Sequence, residues 1–203
     1  MRKFMFNDRC GLTASVIRKA KWKTRRSASR VVRQWAVAEV LTDCLGNPTQ
    51  RELTLKEFAL KVCPIKVGDI IAVAQSYKDI IECEWLPTEK ENEVIRMVEE
   101  NHPGCTNKMF VKPELMAHYI KITGVDFERL QDISDEDCLA EGIYERHDVI
   151  NSNMEKVKCF TFPNTPHIYA TPRDAFAALI DKVSGKGTWA SNPYVYVFTF
   201  KLS

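Results

Sequence analysis

The stretch Tyr194-Val195-Tyr196-Val197-Phe198-Thr199-Phe200 decides the fold, because an unbroken run of aromatic and β-branched residues is typical of a β-strand. Two further strands are indicated upstream of it. The run from Ile70 to Ala74 is continuously apolar, which predicts a strand that is buried on both faces. Residues 116–130 alternate between the two faces of a long strand, with a bulge expected at Gly124. These strands predict a core that is largely β-sheet.

Helical patterns separate the strands. Residues 13–20 predict a short amphipathic helix with Thr13 as its N-cap. A second helix, of roughly two turns, is expected between Ser134 and Gly142. The Ser134 hydroxyl lies three residues before the acid Asp137, which is typical of a helix N-terminus, and Gly142 is typical of a helix C-terminus. Pro172 occupies the first position of a third helix with a clear apolar face. The chain is therefore predicted to be an α+β protein.

The length of 203 residues predicts one domain, residues 1–203, with a peripheral insertion at residues 85–107. The insertion is acidic and predicts a helix that ends near Asn101 and lies outside the main sheet. Residues 37–58 suggest a β-hairpin around the turn Gly46-Asn47-Pro48, with a helix as the open alternative.

Charge is distributed unevenly along the chain. The formal net charge is only +2, so composition alone does not indicate a polyanionic partner. Residues 18–33 contain many lysines and arginines and no acid, whereas the acids concentrate in residues 82–100 and 126–145. The basic segment is either a solvated surface or a wall that binds phosphate groups.

Several classes of site and location are disfavoured by the sequence. The seven cysteines are widely spaced and form no CxxC pair, and the four histidines form no HExxH motif, so we expect reduced thiols, no metal and no cofactor. The N-terminus lacks the apolar core of a signal peptide, and no apolar run reaches the roughly 18–20 residues of a membrane span. The sequence therefore predicts a cytoplasmic protein with no membrane partner.

Three segments in chain order resemble the ASCH family: residues 21–26 (Lys-Trp-Lys-Thr-Arg-Arg), residues 130–142, and residues 175–193 with the strand that follows. The resemblance spans most of residues 10–203. It implies a PUA-like, mostly antiparallel β-barrel flanked by short helices, and a protein that handles RNA or modified nucleosides. The longer terminal segments are similar to versions carried by bacteriophages and related mobile elements. The family motif GxKxxTxR is matched at its last three positions, but Lys19 replaces the leading glycine.

The resemblance also implies a site. Family members that hydrolyse N4-acetylcytidine use a lysine, a threonine and a glutamate, and these correspond to Lys21, Thr24 and Glu141. Thr24 would attack the amide, Lys21 would take its proton, and Glu141 would orient the lysine or relay the proton.

Two other functional classes stay open. In a non-catalytic RNA-binding module, a base would stack on Trp22 or Trp35, and the phosphate contacts would come from basic side chains of one segment, Lys19, Lys23, Arg25 and Arg26. In a phage accessory or morphogenesis protein, the acidic insertion would bind a protein partner instead. Each proposed site residue, taken singly, also has an ordinary structural role as a surface, strand or helix-end side chain.

Overall fold

The computed structural model of the chain describes residues 1–44, 54–83, 86–150 and 156–203. Within these residues the protein is an α+β fold, with a five-stranded mixed sheet, a two-stranded antiparallel sheet and helices packed around them. The strands are β1 Arg2–Phe4, β2 Lys23–Ser27, β3 Ile70–Val73, β4 Tyr119–Arg129, β5 Tyr144–Arg146, β6 Cys159–Thr161 and β7 Tyr194–Leu202. The α-helices are α1 Leu12–Ile17, α2 Ser29–Cys44, α3 Leu55–Val62, α4 Tyr77–Cys83, α5 Thr88–Glu99, α6 Asp135–Ala140, α7 Pro172–Ser184 and α8 Thr188–Ser191.

The large sheet has the strand order β1-β3-β4-β7-β2. Only β1 and β3 run parallel, and the other neighbours are antiparallel. The three strands predicted from residues 70–74, 116–130 and 194–200 are confirmed as β3, β4 and β7. The bulge predicted at Gly124 is also confirmed, because the β4–β7 register shifts between Ile122 and Gly124.

The sheet is strongly curled but open. In a flat sheet, β1 and β7 would lie three strand spacings apart, or about 14 Å, yet the ring centroids of Phe4 and Phe198 are only 5.5 Å apart. Among the described residues no backbone pairing joins the edge strands β1 and β2, so the expectation of a closed barrel is not met. A side chain spans the gap instead, because the guanidinium of Arg26 donates to the backbone oxygen of Met5 at 2.9 Å.

The helices predicted at residues 13–20, 134–142 and 172–185 are confirmed as α1, α6 and α7. Ser134 caps α6 by accepting a hydrogen bond from the Asp137 amide at 3.1 Å. The prediction that Thr13 caps α1 is wrong: Gly11 holds the N-cap position, and Thr13 lies inside the helix with its hydroxyl donating to Asp8.

The hairpin predicted at residues 37–58 is wrong wherever the structure describes the chain. Residues 37–44 belong to α2 and residues 55–58 to α3, while the expected turn at Gly46 lies outside the described residues. The start of α3 is fixed by a capping box, in which the Thr54 hydroxyl accepts from the Glu57 amide and the Glu57 carboxylate accepts from the Thr54 amide. This T-x-x-E pattern was present in the sequence and favoured the helical alternative.

The acidic helix expected in the insertion is confirmed as α5. Its buried side chains Val94 and Met97 pack in a second hydrophobic cluster with Tyr77 and Ile80 of α4. This cluster is separate from the main core, which fills the curl of the large sheet and the space under α7. The boundary given for the insertion, residues 85–107, stays a prediction.

Candidate active site

Lys21 and Glu141 form a buried ion pair between the end of α6 and the segment that leads into β2. The Trp22 amide donates to the Ala140 carbonyl at 3.0 Å, which ties the two segments together. The Lys21 ammonium donates to the Glu141 carboxylate and, at 2.8 Å, to the Glu141 backbone oxygen. Both side chains are at most 5% exposed. Gly142 makes this approach possible, because its φ of 101° turns the chain directly after Glu141.

Burial lowers the pKa of Lys21 below its ordinary value, since an ammonium loses its hydration when it leaves water. The ion pair and hydrogen bond with Glu141 oppose this effect, and the positive charges of Arg26 and Arg25 add to it. The neutral amine is therefore more accessible at Lys21 than at a solvated lysine. This property is required of a general base.

Thr24 lies on β2 opposite Phe198 of β7 and is 5% exposed. It lines a cavity of about 320 Å³ that Lys21 and Glu141 also line. No hydrogen bond between described residues involves its hydroxyl. The three side chains singled out from the sequence thus share one cavity, in which Lys21 and Glu141 touch and Thr24 stands apart.

The rest of the cavity is part charged and part apolar. Arg25 and Arg26 add charged groups to its lining, whereas Phe6, Leu12 and Phe176 supply apolar surface. Further lining comes from one face of α7, through Leu179, Ile180 and Val183. A pocket with apolar walls and a few convergent polar groups is typical of a small-molecule site.

Lys23 and Arg25, two of the four cations expected to contact phosphates, are already ion-paired in this structure. Lys23 donates to Asp137. The Arg25 side chain is 1% exposed and is bonded to the carboxylates of Glu128, Asp137 and Glu141. The two cations lie on the face of β2 that α6 covers, since alternate residues of a strand share a face. Their placement favours a structural role over phosphate contact.

The other predicted binding residues differ in exposure. Arg26 is half-buried: its guanidinium lies 4.7 Å from the Phe4 ring centroid and 5.4 Å from that of Phe6, and burial lowers its pKa. Its Nε is buried without a hydrogen-bond partner among the described residues. Lys19 and Trp22 are exposed, and Trp22 is 45% exposed. Of the set proposed to bind nucleic acid, Lys19 and Trp22 are the exposed residues.

Lys19 adopts a backbone conformation that is uncommon for residues other than glycine. Its φ is 60°, in the left-handed region. Its amide donates to the Val16 carbonyl at 3.0 Å, and the next amide, of Ala20, donates to the Ser15 carbonyl at 2.8 Å. This is a Schellman motif that ends α1. Lys19 therefore carries the strain of a left-handed backbone conformation that glycine adopts at lower cost.

Sequence reasoning missed two of the three carboxylates that surround Arg25. Glu128 comes from β4 and Asp137 from α6, so their meeting with β2 depends on long-range topology. One local signal was available, because the spacing of Asp137 and Glu141 by four residues predicts the same face of a helix.

A larger groove of about 880 Å³ lies along the other side of α1 and is lined in part by Asp8, Arg18, Asp79 and Tyr144. Asp8 is engaged there by Lys108 and Thr13. Among the residues that line it, the structure places no buried ion pair comparable to Lys21–Glu141. The buried ion pair therefore belongs to the smaller cavity.

No protein-family model, curated protein or solved structure matches this chain. Among the described residues, no cluster of three or more histidine, cysteine or carboxylate side chains is arranged to hold a metal ion. None of the helices described for the chain has both the length and the apolar composition to cross a bilayer. The comparison with the ASCH family therefore rests on the motif residues themselves.

Proposed function

We propose that the chain is a PUA-like, ASCH-type protein that binds a modified nucleoside and hydrolyses the amide of N4-acetylcytidine or a similar N4-acylated cytidine. The observation that carries this proposal is the buried Lys21–Glu141 pair, which opens on the same cavity as the unbonded hydroxyl of Thr24. A nucleophile, a base with a lowered pKa and a group that orients the base are the parts that amide hydrolysis requires.

The reaction would proceed in two balanced steps. The Thr24 oxygen attacks the acetyl carbonyl while Lys21, in its neutral amine form, accepts the hydroxyl proton, and the C–N bond then breaks as that proton passes to the departing exocyclic amine of cytidine. Water next attacks the acetyl ester on Thr24, with Lys21 again taking and returning a proton, which releases acetate and the free hydroxyl.

The Lys21–Thr24 contact is the step that substrate binding would complete. In this structure the Lys21 ammonium donates to Glu141, and no hydrogen bond links it to Thr24. Hydrogen bonds between catalytic groups commonly tighten only when substrate is bound. Arg26, at the same cavity, supplies a positive charge near the developing oxyanion.

The dimensions of the cavity support a single nucleoside or one unstacked base as the ligand. Its volume of about 320 Å³ is near the lower end of the roughly 300–1,000 Å³ of ligand pockets. Phe6, Leu12 and Phe176 offer apolar surface to a planar base. Because Lys23 and Arg25 are ion-paired, binding along an RNA strand is less well supported than binding of a nucleoside.

Location in the cytoplasm of a bacterial or phage-infected cell belongs to the same proposal. Its support is the family resemblance and the chemistry of the cysteines. Cys10, Cys63, Cys105, Cys138 and Cys159 are all buried and form no disulfide among the described residues. Unpaired thiols are usual in reducing compartments.

The test is to incubate the purified protein with N4-acetylcytidine and to follow the release of cytidine and acetate. We expect turnover by the wild-type chain and a loss of at least about a thousandfold in Thr24→Val, with substrate affinity retained. Thr199→Val is a matched control, because Thr199 is also a strand threonine but lies on β7 opposite Lys23.

The outcomes separate the competing functions. Binding of the nucleoside without turnover would make the chain a non-catalytic binding module. Absence of both binding and turnover would contradict the proposal and would leave a role through protein contacts, with the acidic segment around α5 as the surface to delete.

A further inference from the structure

Glu141 is held by two cations, one on each carboxylate oxygen. Oε2 accepts from the Lys21 ammonium, and Oε1 accepts from Nη1 of Arg25 at 3.3 Å. Arg25 therefore reaches the site through Glu141. Its side chain is 1% exposed, and each of its three guanidinium nitrogens already donates to a carboxylate.

The guanidinium of Arg25 is itself fixed by two outer carboxylates. Nη2 and Nε donate to Glu128 at 2.7 and 2.9 Å, and Nη2 also donates to Asp137 at 2.8 Å. These carboxylates come from β4 and α6. Although burial alone would lower the pKa of Arg25, the surrounding carboxylates outweigh it and raise that pKa, so the residue stays charged.

The charges of this network balance. Lys21, Lys23 and Arg25 supply the positive charges, and the negative charges come from an equal number of carboxylates, Glu128, Asp137 and Glu141. A fork-shaped guanidinium shared among carboxylates fixes their direction as well as their charge.

We propose that Arg25 is a positioning residue of the catalytic pair: by holding one oxygen of Glu141, it directs the other oxygen toward Lys21 and fixes the amine at the cavity that Thr24 also lines. This inference rests on the function proposed above. It replaces the phosphate-binding role expected for Arg25 from the sequence, and it assigns Glu128 and Asp137 the task of holding Arg25.

The charge of Arg25 also affects Lys21. The charged groups that act on the Lys21 amine are Glu141 at the end of α6, which raises its pKa, and Arg26 and Arg25 on β2, which lower it. If Arg25 is neutralised, the pKa of Lys21 rises. The pH at which Lys21 becomes available as a base then moves upward, which a purely structural role of Arg25 would not produce.

The experiment compares three variants with the wild-type chain in assays of N4-acetylcytidine hydrolysis across pH. Arg25→Gln removes the charge but leaves three carboxylates without a shared partner and can fail to fold. Arg25→Gln combined with Glu128→Gln keeps the network balanced. Arg25→Lys keeps the positive charge but loses the planar guanidinium, which donates to several carboxylates at once. Lys56→Gln is the matched control, because Lys56 pairs with Asp126, also on β4, at the exposed surface.

We expect the balanced double variant to lose roughly 10- to 100-fold in kcat with KM little changed, and the rising limb of its pH profile to move to higher pH. Arg25→Lys should keep the wild-type position of that limb and recover part of kcat. A folded double variant with wild-type kcat and an unshifted profile would overturn the inference.

A measurement without substrate separates this inference from the proposed function. The Lys21 side-chain resonance, assigned by its loss in Lys21→Met, can be titrated by NMR in wild-type and double-variant protein. If the wild-type chain does not hydrolyse the nucleoside, the proposed function fails. The coupling of Arg25 to Lys21 through Glu141, which does not depend on catalysis, is then supported if the Lys21 titration moves to higher pH in the double variant, and is contradicted if it does not move.

Discussion

Replacement of Glu141 by glutamine should destabilise the protein strongly, and by an amount that depends on pH. Lys21 is 2% exposed, and its ion-pair partner is Glu141 at the end of α6. The variant therefore buries a charged lysine without this counter-ion. Breaking a buried pair in this way costs about 3–5 kcal/mol. The lysine can limit this cost by losing its proton on folding.

The free energy needed to deprotonate Lys21 on folding is the upper limit of the destabilisation by Glu141→Gln. It amounts to about 1.4 kcal/mol for each pH unit below the ordinary lysine pKa of about 10.4, which is about 4–5 kcal/mol at pH 7 and about 2 kcal/mol at pH 9. In wild-type protein, burial lowers the pKa of Lys21 and Glu141 partly offsets this effect. Without the Glu141 charge, the pKa of Lys21 falls further. The unfolded state then binds more protons than the folded state, so the variant gains stability as pH rises toward the ordinary lysine pKa.

Urea unfolding of wild-type and Glu141→Gln protein at several pH values between about 6 and 9 measures the difference. Glu93→Gln is the control, because Glu93 pairs with Lys112 at 2.8 Å on the exposed surface and its loss should change stability little at any pH. If Glu141→Gln is no more destabilising than the control, or if its effect does not shrink as pH rises, the reasoning about a coupled buried pair is refuted.

Two backbone predictions can be checked by thermal unfolding. Lys19→Gly should raise stability by roughly 0.5–1 kcal/mol, because glycine adopts the φ of 60° without the strain that a lysine bears; an unchanged or lower melting temperature would contradict the left-handed turn. Gly142→Ala should cost roughly 1–3 kcal/mol, because its φ of 101° is strained for alanine even though the added Cβ meets no atom closer than 3.7 Å. The same change should reduce hydrolysis, since residue 142 directly follows Glu141; full activity would show that the turn does not matter to the site.

The strands of the large sheet differed in how far the sequence could predict them. The alternation in β4 and the aromatic run in β7 are local signals, and both strands were predicted within a few residues. The edge strand β2 carries mostly charged residues, so no apolar pattern marks it. Its position beside β7 is set by long-range pairing, which neither composition nor periodicity contains.

The candidate site was predictable only in part, for a similar reason. The motif residues Lys21 and Thr24 are close in sequence, but the approach of Glu141 depends on the turn at Gly142 and on the contact between Trp22 and Ala140. Arg25 was expected to contact phosphate groups because it lies in a basic segment. Its burial follows from the meeting of β2 with β4 and α6, which brings carboxylates distant in sequence around it.

Detection of the acetyl ester on Thr24 is the most direct test of the proposed chemistry. Wild-type protein would be mixed with N4-acetylcytidine, quenched in acid during turnover, digested and examined by mass spectrometry. We predict one added acetyl group on the peptide that contains Thr24, and none on the same peptide from Thr24→Val. Turnover that continues unchanged in Thr24→Val, with no acetyl group found on the chain, would contradict the assignment of Thr24 as the nucleophile.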